Sequence, residues 1–350
     1  MIPENKDVAL FHIVNHMHHG GCQKIVYEIL KGIDIKDLRK VLIARPGHYS
    51  NLLSNEKDIS FINRKNFGFF GVIKLLFQAR KTSKKIILHT HARKDIVFGF
   101  FLRKMDTHIH TYHSTYLKKN KLMGYLKADI SISISETVKR YLDKFNISSQ
   151  IIFNGIDKPI QSYSKNQDNI KCPKLVYIGR LSSEKGIYEL INDLFAIDGL
   201  HLNKLYLDVI GGGDLMDKCI ERVSKTTSYS CEISFFGFQN KPWEKLSQYD
   251  ILVIPSMYEG FCLVGVEASI RGIPIIANDI PALREILYFL PEQCFFHTGD
   301  PESLNRALNY TVNNWHALVK LCKKKRKEFE LRFGLESMIK KHEQIYDAVI

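Results

Sequence analysis

The stretch "DILVIPSMYEGFCLVGVEASIRGIPIIAND" (250–279) predicts a strand, a turn, a helix and a second strand in close succession. Its first apolar run ends at Pro255 and Ser256, which is typical of a short buried strand. "VGVEASIRG" then predicts a helix that ends at Gly272. Strands separated by helices pair in parallel, so this stretch indicates one repeat of a doubly wound α/β sheet.

The same alternation of strands and helices runs through both halves of the chain. A polar segment at 158–173 lacks apolar periodicity and is typical of a linker between them. The pattern predicts two similar doubly wound parallel-sheet domains that face each other across a cleft, with ligands at the carboxyl ends of the strands. The predicted strands are 8–14, 39–45, 85–91, 108–113, 128–135 and 150–157 before the linker and 174–180, 204–213, 231–237, 250–256 and 273–279 after it.

The charge of the chain is concentrated in its first half. Residues 1–160 carry 27 Lys and Arg against 13 Asp and Glu, a net charge of +14, whereas the remaining residues carry 23 against 24. The first half is therefore expected to meet an anionic partner: nucleic acid, a phosphorylated substrate or an acidic membrane surface.

The cysteines and the apolar runs indicate a cytoplasmic protein. Seven cysteines are scattered without a CxxC pair, which fits a reducing compartment and argues against a disulfide framework. The first residues lack the charged and apolar regions of a secretory signal. Apolar runs such as 96–102 are far shorter than the roughly 20 residues that span a bilayer.

Two glutamates stand eight positions apart in the opening stretch. Glu259 lies in the predicted turn, and Glu267 lies roughly two turns inside the predicted helix. Carboxylates accept hydrogen bonds from vicinal hydroxyls, and the backbone amides of Gly260 to Leu263 could meet a phosphate. The pair therefore favours a nucleotide sugar as ligand. The alternative is a salt bridge from these carboxylates to Arg271 or Arg284.

"YIGRLSSEKGI" (177–187) places two cations after a predicted strand. A strand end, a glycine, Arg180, Lys185 and a following helix start together suit a diphosphate. A charged surface loop is the alternative from this stretch alone. The glycines of "VIGGG" (209–213) could serve either ligand binding or packing. Their spacing does not match a nicotinamide fingerprint.

These motifs resemble the family 4 glycosyltransferases, which are retaining enzymes with the GT-B fold of two facing Rossmann-like domains. "EGFCLVGVE" resembles the family's signature of two glutamates separated by seven residues, and "YIGRLSSEKGI" resembles its diphosphate element. The resemblance covers nearly the whole chain. Further motifs follow in the family's order: "HHGGCQ", "ILHTH", "HTYHSTY", "SISE", "FNGID", "VIGGG", "SFFGF" and "YDILVIPS".

The resemblance implies the organisation of the chain. Residues 1–160 would form an acceptor-binding domain and residues 170–332 a donor-binding domain. A C-terminal helix at about 335–350 would pack back onto the first domain. No protein nucleophile is expected, and the enzyme's share of catalysis would be positioning and stabilisation of the departing diphosphate.

The resemblance also implies a role for individual residues. Arg180 and Lys185 would hold the donor's diphosphate, while Glu259 would bind hydroxyls of the transferred sugar. Glu267 would bind the ribose hydroxyls, and His113 would lie beside the anomeric centre. His113, Glu259, Arg180 and Lys185 are thus the predicted catalytic residues. The other implied donor-binding residues are Gly20 and Gly21 at the phosphates, Phe236, Gly237 and Phe238 around the nucleobase, and Gly260, Phe261, Cys262 and Leu263 through their amides.

Metal ions and cofactors are not expected. No Asp-x-Asp triplet occurs in the sequence, and Arg180, Lys185 and backbone amides can replace a divalent cation at the diphosphate. The histidines near the Gly-Gly loop leave a zinc site conceivable, since imidazole suits zinc, but no helical pair of ligands accompanies them. His16 and His91 are instead expected on the acceptor side of the cleft.

The basic first half also predicts a membrane contact. "FFGVIKLLFQARKTSKK" (69–85) places aromatic and aliphatic residues along one side of a helix with a basic end, and "YLKKNKL" (116–122) adds lysines. Such a helix can lie on an anionic membrane surface. The alternative is an ordinary amphipathic helix of the domain with a solvated basic end.

Three functions compete. The favoured one is transfer of a sugar from a UDP- or GDP-sugar to a glycan or lipid-linked acceptor in bacterial envelope polysaccharide or lipopolysaccharide biosynthesis, by a cytoplasmic protein that is peripheral at the inner membrane face. The second is a GT-B relative such as a nucleotide-sugar epimerase, which would need its own acid and base. The third is a basic non-enzymatic protein that binds nucleic acid; no aromatic platform for it is evident, and no nucleic-acid partner is expected.

Overall fold

The computed structural model describes residues 7–102, 104, 106–115, 127–157, 172–197, 204–226 and 231–350. The chain divides into two units. Unit 1 comprises Met1–Gly155 and Phe333–Ile350, and unit 2 comprises Ile156–Arg332. The predicted lysine stretch at 116–122 and most of the predicted linker at 158–173 lie outside the described residues.

Unit 1 is built on a seven-stranded parallel sheet. Its strands are β1 (Val8–His16), β2 (Leu38–Arg45), β3 (Ile59–Asn63), β4 (Lys85–Thr90), β5 (Thr107–Tyr112), β6 (Ile130–Ser133) and β7 (Gln150–Ile151). Their order in the sheet is β3-β2-β1-β4-β5-β6-β7. The first helices are α1 (Gly21–Gly32), α2 (His48–Leu53), α3 (Gly68–Thr82) and α4 (Glu136–Asp143).

Both faces of the unit 1 sheet are covered, as a parallel sheet requires. Val41 and Ile43 of β2 share one apolar cluster with residues of α3, whereas Leu42 and Ala44 share another with residues of α1. Because side chains alternate along a strand, β2 needs apolar residues at consecutive positions where both faces are covered, which explains its run from Val41 to Ala44.

Unit 2 repeats this plan with six parallel strands. They are β8 (Lys174–Ile178), β9 (Leu205–Ile210), β10 (Cys231–Gly237), β11 (Ile251–Ile254), β12 (Ile275–Asn278) and β13 (Phe295–Phe296), in the order β10-β9-β8-β11-β12-β13. The helices are α5 (Ile187–Ala196), α6 (Met216–Ser224), α7 (Leu263–Arg271), α8 (Pro281–Ile286), α9 (Pro301–Asn313) and α10 (Trp315–Phe333). The prediction of two doubly wound parallel-sheet domains is confirmed.

The last helix, α11 (Leu335–Asp347), belongs to unit 1. Its Met338 sulfur accepts a hydrogen bond from the Gly155 amide at 3.0 Å. Its Ile339 packs so closely on α1 that a Cβ at Gly32 would lie 2.1 Å from the Ile339 Cδ1 atom. Among the described residues, no helix has both the length and the apolar character needed to cross a bilayer.

Buried histidines join α11 to the strands of unit 1. His12 of β1, His89 of β4, His110 of β5 and His342 of α11 are almost fully buried, as is His91 after β4. Burial lowers the pKa of His12 to about 3 and that of His342 to about 4, and it lowers the pKa of His89, His91 and His110 well below the usual value. These rings are therefore neutral at neutral pH.

The first prediction concerns the loops that follow β8 and β11. Gly186 has a φ of +65°, and a Cβ there would lie 2.1 Å from the Pro255 carbonyl oxygen. Gly186→Ala should lower the free energy of unfolding by about 3 kcal/mol, because it adds a clash to backbone strain. Gly299→Ala should cost about 1 kcal/mol, because Gly299 has a φ of +91° but open space around it. Denaturant unfolding measures both losses, and equal losses would contradict the close packing.

The second prediction concerns the buried histidines. The unfolded chain takes up protons near pH 6.5, whereas in the folded protein the pKa of His12 is lowered to about 3 and that of His342 to about 4, so stability should fall as pH drops below about 6.5. Each histidine contributes up to about 1.4 kcal/mol per pH unit in this window.

Thermal unfolding of His342→Gln at pH 7.5 and 5 should show a shallower pH dependence than the wild type, while exposed His316→Gln should match the wild type. A wild-type midpoint that is flat over this range would contradict buried neutral rings.

Candidate functional site

The candidate site of unit 2 lies where β8, β9, β10 and β11 end. Backbone hydrogen bonds join the loops there: the Leu181 amide donates to the Gly212 carbonyl at 3.0 Å, and the Gly211 amide donates to the Gly237 carbonyl at 2.8 Å. Gly211 has a φ of +148°, and a Cβ on it would lie 1.8 Å from the Gly179 carbonyl oxygen. Close packing of the loops therefore explains the glycine run after β9.

Lys185 and Glu259 form an ion pair at this edge of the sheet. The Lys185 Nζ atom lies 2.5 Å from the Glu259 Oε1 atom, and the Glu259 side chain is only 8% exposed. The amides of Met257 and Tyr258 both donate to the Glu184 carbonyl, which holds the two loops together. Burial lowers the pKa of Lys185, but the Glu259 carboxylate more than offsets it, so the pKa is raised and the ammonium stays charged.

The other predicted charges of unit 2 lie in the same neighbourhood. The pKa of the Cys262 thiol is raised to about 12, mainly by burial and also by the charges of Glu259 and Glu267, while Lys185 opposes the rise. The positive charge of Arg180 acts to lower the pKa of Lys185. Lys185, Glu259 and the buried Glu267 therefore lie near Cys262, and the exposed Arg180 lies near Lys185.

The structure shows where Glu267 lies in α7 and what its alternative partners, Arg271 and Arg284, contact. Glu267 is the fifth residue of α7, one turn from the helix start, so the prediction that it lies roughly two turns inside the helix was wrong. Arg271 donates from Nη1 to the Glu267 carbonyl at 3.0 Å, and burial lowers the pKa of Arg271 while the Glu267 charge opposes this. Arg284 instead binds both oxygens of Asp279 and one of Glu292.

Helix α7 points its amino end to the same edge. Cys262 precedes the helix, and the first turn closes with the Val266 amide donating to the Cys262 carbonyl at 3.2 Å. The amides at a helix start have no acceptor within the helix and favour anions, which here includes the amide of Leu263. A Cβ at Gly265 would lie 3.3 Å from the Ile254 Cδ1 atom, so glycine lets α7 approach β11.

The remaining predicted residues of unit 2 lie before α7 and at the end of β10. Gly260, Phe261 and Cys262 are buried between Glu259 and the start of α7. Phe236 and Phe238 are half-exposed at the end of β10, with Gly237 between them at a φ of +62°. Their contact with a nucleobase stays a prediction.

In unit 1, the predicted residues lie at the ends of β1, β4 and β5. His16 is the last residue of β1, Gly20 precedes α1, and Gly21 is its first residue. His91 and His113 directly follow β4 and β5, and the His91 Nδ1 atom lies 3.0 Å from the His113 Nε2 atom. A single site formed by these residues together with those of unit 2 is what the resemblance implies, and it stays a prediction.

The sequence did not predict how the buried histidines connect. His12 Nδ1 lies 2.9 Å from His91 Nε2, and His12 Nε2 lies 3.3 Å from the Tyr346 hydroxyl. That hydroxyl lies 2.6 Å from His89 Nδ1, and His89 Nε2 lies 2.7 Å from the Thr111 hydroxyl. The alternating histidines of "HTH" (89–91) signalled a shared face of β4, but nothing in the sequence pointed to Tyr346.

A metal ion fits this cluster poorly. The nitrogens of His12, His89 and His91 lie within 4.8 Å of one another. However, both nitrogens of each ring already have a hydrogen-bond partner in the described structure. The expectation of no metal stays a prediction.

The chain is similar to several known proteins. Residues 161–329 match the family model "Glycosyl transferases group 1". Two uncharacterized glycosyltransferases of Methanocaldococcus jannaschii are 26% identical to the chain: one over 51% of the chain and 45% of its own length, the other over 86% and 88%. The chain thus spans less than half of the first relative.

A more specific relative is the O-antigen biosynthesis glycosyltransferase WclY of Escherichia coli, 27% identical over 70% of this chain and 72% of its own length. Among solved structures, Anabaena Alr3699/HepE in complex with UDP-glucose has a TM-score of 0.79 and 14% identity, covering 97% of this chain and 99% of its own. This likeness shows the fold. The chain therefore has the two Rossmann-like domains of the GT-B fold, and its residues 161–329 are similar to the glycosyl transferase group 1 family.

Proposed function

We propose that the protein is a retaining glycosyltransferase that moves a hexose from a UDP- or GDP-sugar to a glycan or lipid-linked acceptor of a bacterial envelope polysaccharide. The observation that carries this proposal is the Lys185–Glu259 pair beside the start of α7. It joins a cation, a carboxylate and helix amides at one sheet edge, the combination that a sugar diphosphate needs. The O-antigen relative supports the envelope pathway.

Lys185 is suited to bind the diphosphate without leaving Glu259. An ammonium has three donors, of which one contacts Glu259 Oε1, so the others can serve phosphate oxygens. Arg180, which is exposed at the end of β8, adds a second cation. As the bond from sugar to diphosphate breaks, negative charge grows on the leaving group, and these groups stabilise it in place. A metal ion is not needed for this role.

Glu259 is suited to orient the transferred sugar. The bond from Lys185 holds its carboxylate in place, and a carboxylate has more lone pairs than this one bond uses. It can therefore accept from sugar hydroxyls and hold the anomeric carbon in place. Glu267 would bind the ribose, and His113 would contact the sugar from unit 1. An epimerase would need its own acid and base, whereas the Glu259 carboxylate already accepts a bond from Lys185.

The third prediction tests this donor site. Lys185→Ala should weaken the binding of UDP or GDP by at least about 2 kcal/mol, or about 30-fold, because it removes a charge-assisted bond. Lys204→Ala is the matched control, since Lys204 pairs with the exposed Glu232 in the same unit.

Calorimetry measures nucleotide affinity, and release of nucleoside diphosphate from a panel of nucleotide sugars measures transfer. Wild-type protein that binds no nucleoside diphosphate, or equal affinity in Lys185→Ala and Lys204→Ala, would contradict the proposal.

We also propose that unit 1 binds the anionic inner face of the cytoplasmic membrane. Residues 64–94 contain nine Lys and Arg and neither Asp nor Glu. On α3, Phe70 is 81% exposed and Phe77 is 47% exposed, with the exposed Lys74 between them at helical spacing. An exposed face that alternates aromatic rings and lysines suits the interface of an anionic bilayer, where rings enter the headgroup layer.

The fourth prediction follows from this face. Phe70→Ser with Phe77→Ser should reduce sedimentation of the protein with vesicles of phosphatidylglycerol and phosphatidylethanolamine at low salt. Leu331→Ser is the control, because Leu331 is 71% exposed on α10. Equal sedimentation of both variants would contradict a role for α3, and binding to duplex oligonucleotides but not to vesicles would favour the nucleic-acid alternative.

A further inference from the structure

Six side chains of unit 1 form one continuous row of hydrogen bonds, which we call the histidine chain. In order they are His113, His91, His12, Tyr346, His89 and Thr111. The row begins directly after β5 at His113 and returns to β5 at Thr111, passing through β1, β4 and α11. Each of the three inner histidines uses both ring nitrogens.

The rings of the histidine chain carry one proton each. Burial lowers the pKa of His113 to about 4 and of His12 to about 3, and that of His89 and His91 well below the usual value. Burial raises the pKa of Tyr346, so its hydroxyl keeps its hydrogen. A neutral imidazole donates from one nitrogen and accepts at the other. The direction of one bond therefore fixes the direction of the next.

The distances at Tyr346 indicate the direction. Its oxygen lies 2.6 Å from His89 Nδ1 and 3.3 Å from His12 Nε2. A hydroxyl forms the shorter hydrogen bonds, so the hydroxyl donates to His89 and accepts from His12. His12 then carries its proton on Nε2 and accepts at Nδ1 from His91. By the same logic His91 is protonated on Nε2 and accepts at Nδ1 from His113.

We propose that Tyr346, His12 and His91 are positioning residues that hold His113 as its Nε2-protonated tautomer and leave His113 Nδ1 as a hydrogen-bond acceptor. His113 would then accept from a hydroxyl of its ligand rather than donate to it. That ligand rests on the proposed function, in which His113 meets the transferred sugar. The tautomer itself depends only on the hydrogen bonds of unit 1.

Removing the Tyr346 hydroxyl should invert the tautomers of three rings. In Tyr346→Phe, a proton on His12 Nε2 would be buried without an acceptor, which costs more than a bare nitrogen there. His12 should therefore move its proton to Nδ1 and donate to His91. His91 then donates to His113 Nε2, and His113 becomes protonated on Nδ1. No charge is transferred in this change, since every ring stays neutral.

The test is nitrogen NMR of the full-length protein labelled with 15N-histidine, at pH 7.5 and without substrate. Proton–nitrogen correlations distinguish the two neutral tautomers, and His113→Gln assigns the His113 signals. The expected result is Nε2–H for His113 in the wild type and Nδ1–H in Tyr346→Phe. Tyr112→Phe is the matched control, because this buried tyrosine of β5 lies outside the histidine chain, and it should keep Nε2–H.

Three results would overturn the proposal. The first is a wild-type His113 with its proton on Nδ1, which decides the question even where Tyr346→Phe does not fold. The second is folded Tyr346→Phe with unchanged His113 signals. The third is zinc chloride at one equivalent shifting His12, His89 and His91 together, which would show a metal site. If the protein binds no nucleoside diphosphate, this would contradict the proposed function but leave these spectra unaffected.

Discussion

The ion pair between Lys185 and Glu259 is the interaction on which the account of this protein depends. It bridges two loops that follow adjacent strands, β8 and β11, at the point where the strand order of unit 2 reverses. Such a reversal opens a crevice outside the carboxyl ends of the strands, which is where doubly wound sheets bind ligands. The Glu259 side chain is nearly buried and has Lys185 as its partner, and in the proposed function the two together prepare that crevice for a ligand with both hydroxyls and phosphates.

In unit 1, the hydrogen-bonded histidines are neutral, in contrast to the charged pair of unit 2. His12 lies within β1, and His91 and His113 directly follow β4 and β5; burial keeps these three rings neutral. Neutral imidazoles are satisfied only as donor and acceptor at once, so they form a row that passes through Tyr346 of α11. The C-terminal helix thereby contributes to the hydrogen bonding of His113, although it follows all of unit 2 in the chain.

The sequence predicted the parts of the fold that have a local signature. Buried strands such as β8 and β11 are continuous apolar runs, and their ends carry the loops that hold Lys185 and Glu259. The pattern missed β3, a half-buried strand at the sheet edge, and β13, which has only two residues. Neither has an apolar run long enough to stand out from a loop.

The sequence alone did not predict the contacts between residues that are far apart in the chain. Motifs predicted that Lys185 and Glu259 serve one ligand, but not that they touch each other. The contact between His12 and Tyr346 joins residues 334 positions apart, and no pattern within either segment marks it. The placement of Arg284 with Asp279 instead of a signature glutamate likewise depends on how α8 packs.

The most direct test of the central claim is a crystal structure of the protein with the nucleoside diphosphate that it binds. The account predicts a diphosphate oxygen within about 3.2 Å of Lys185 Nζ, beside the start of α7 and with Glu259 still adjacent to Lys185. A nucleotide bound to unit 2 away from Lys185 and Glu259 would contradict it.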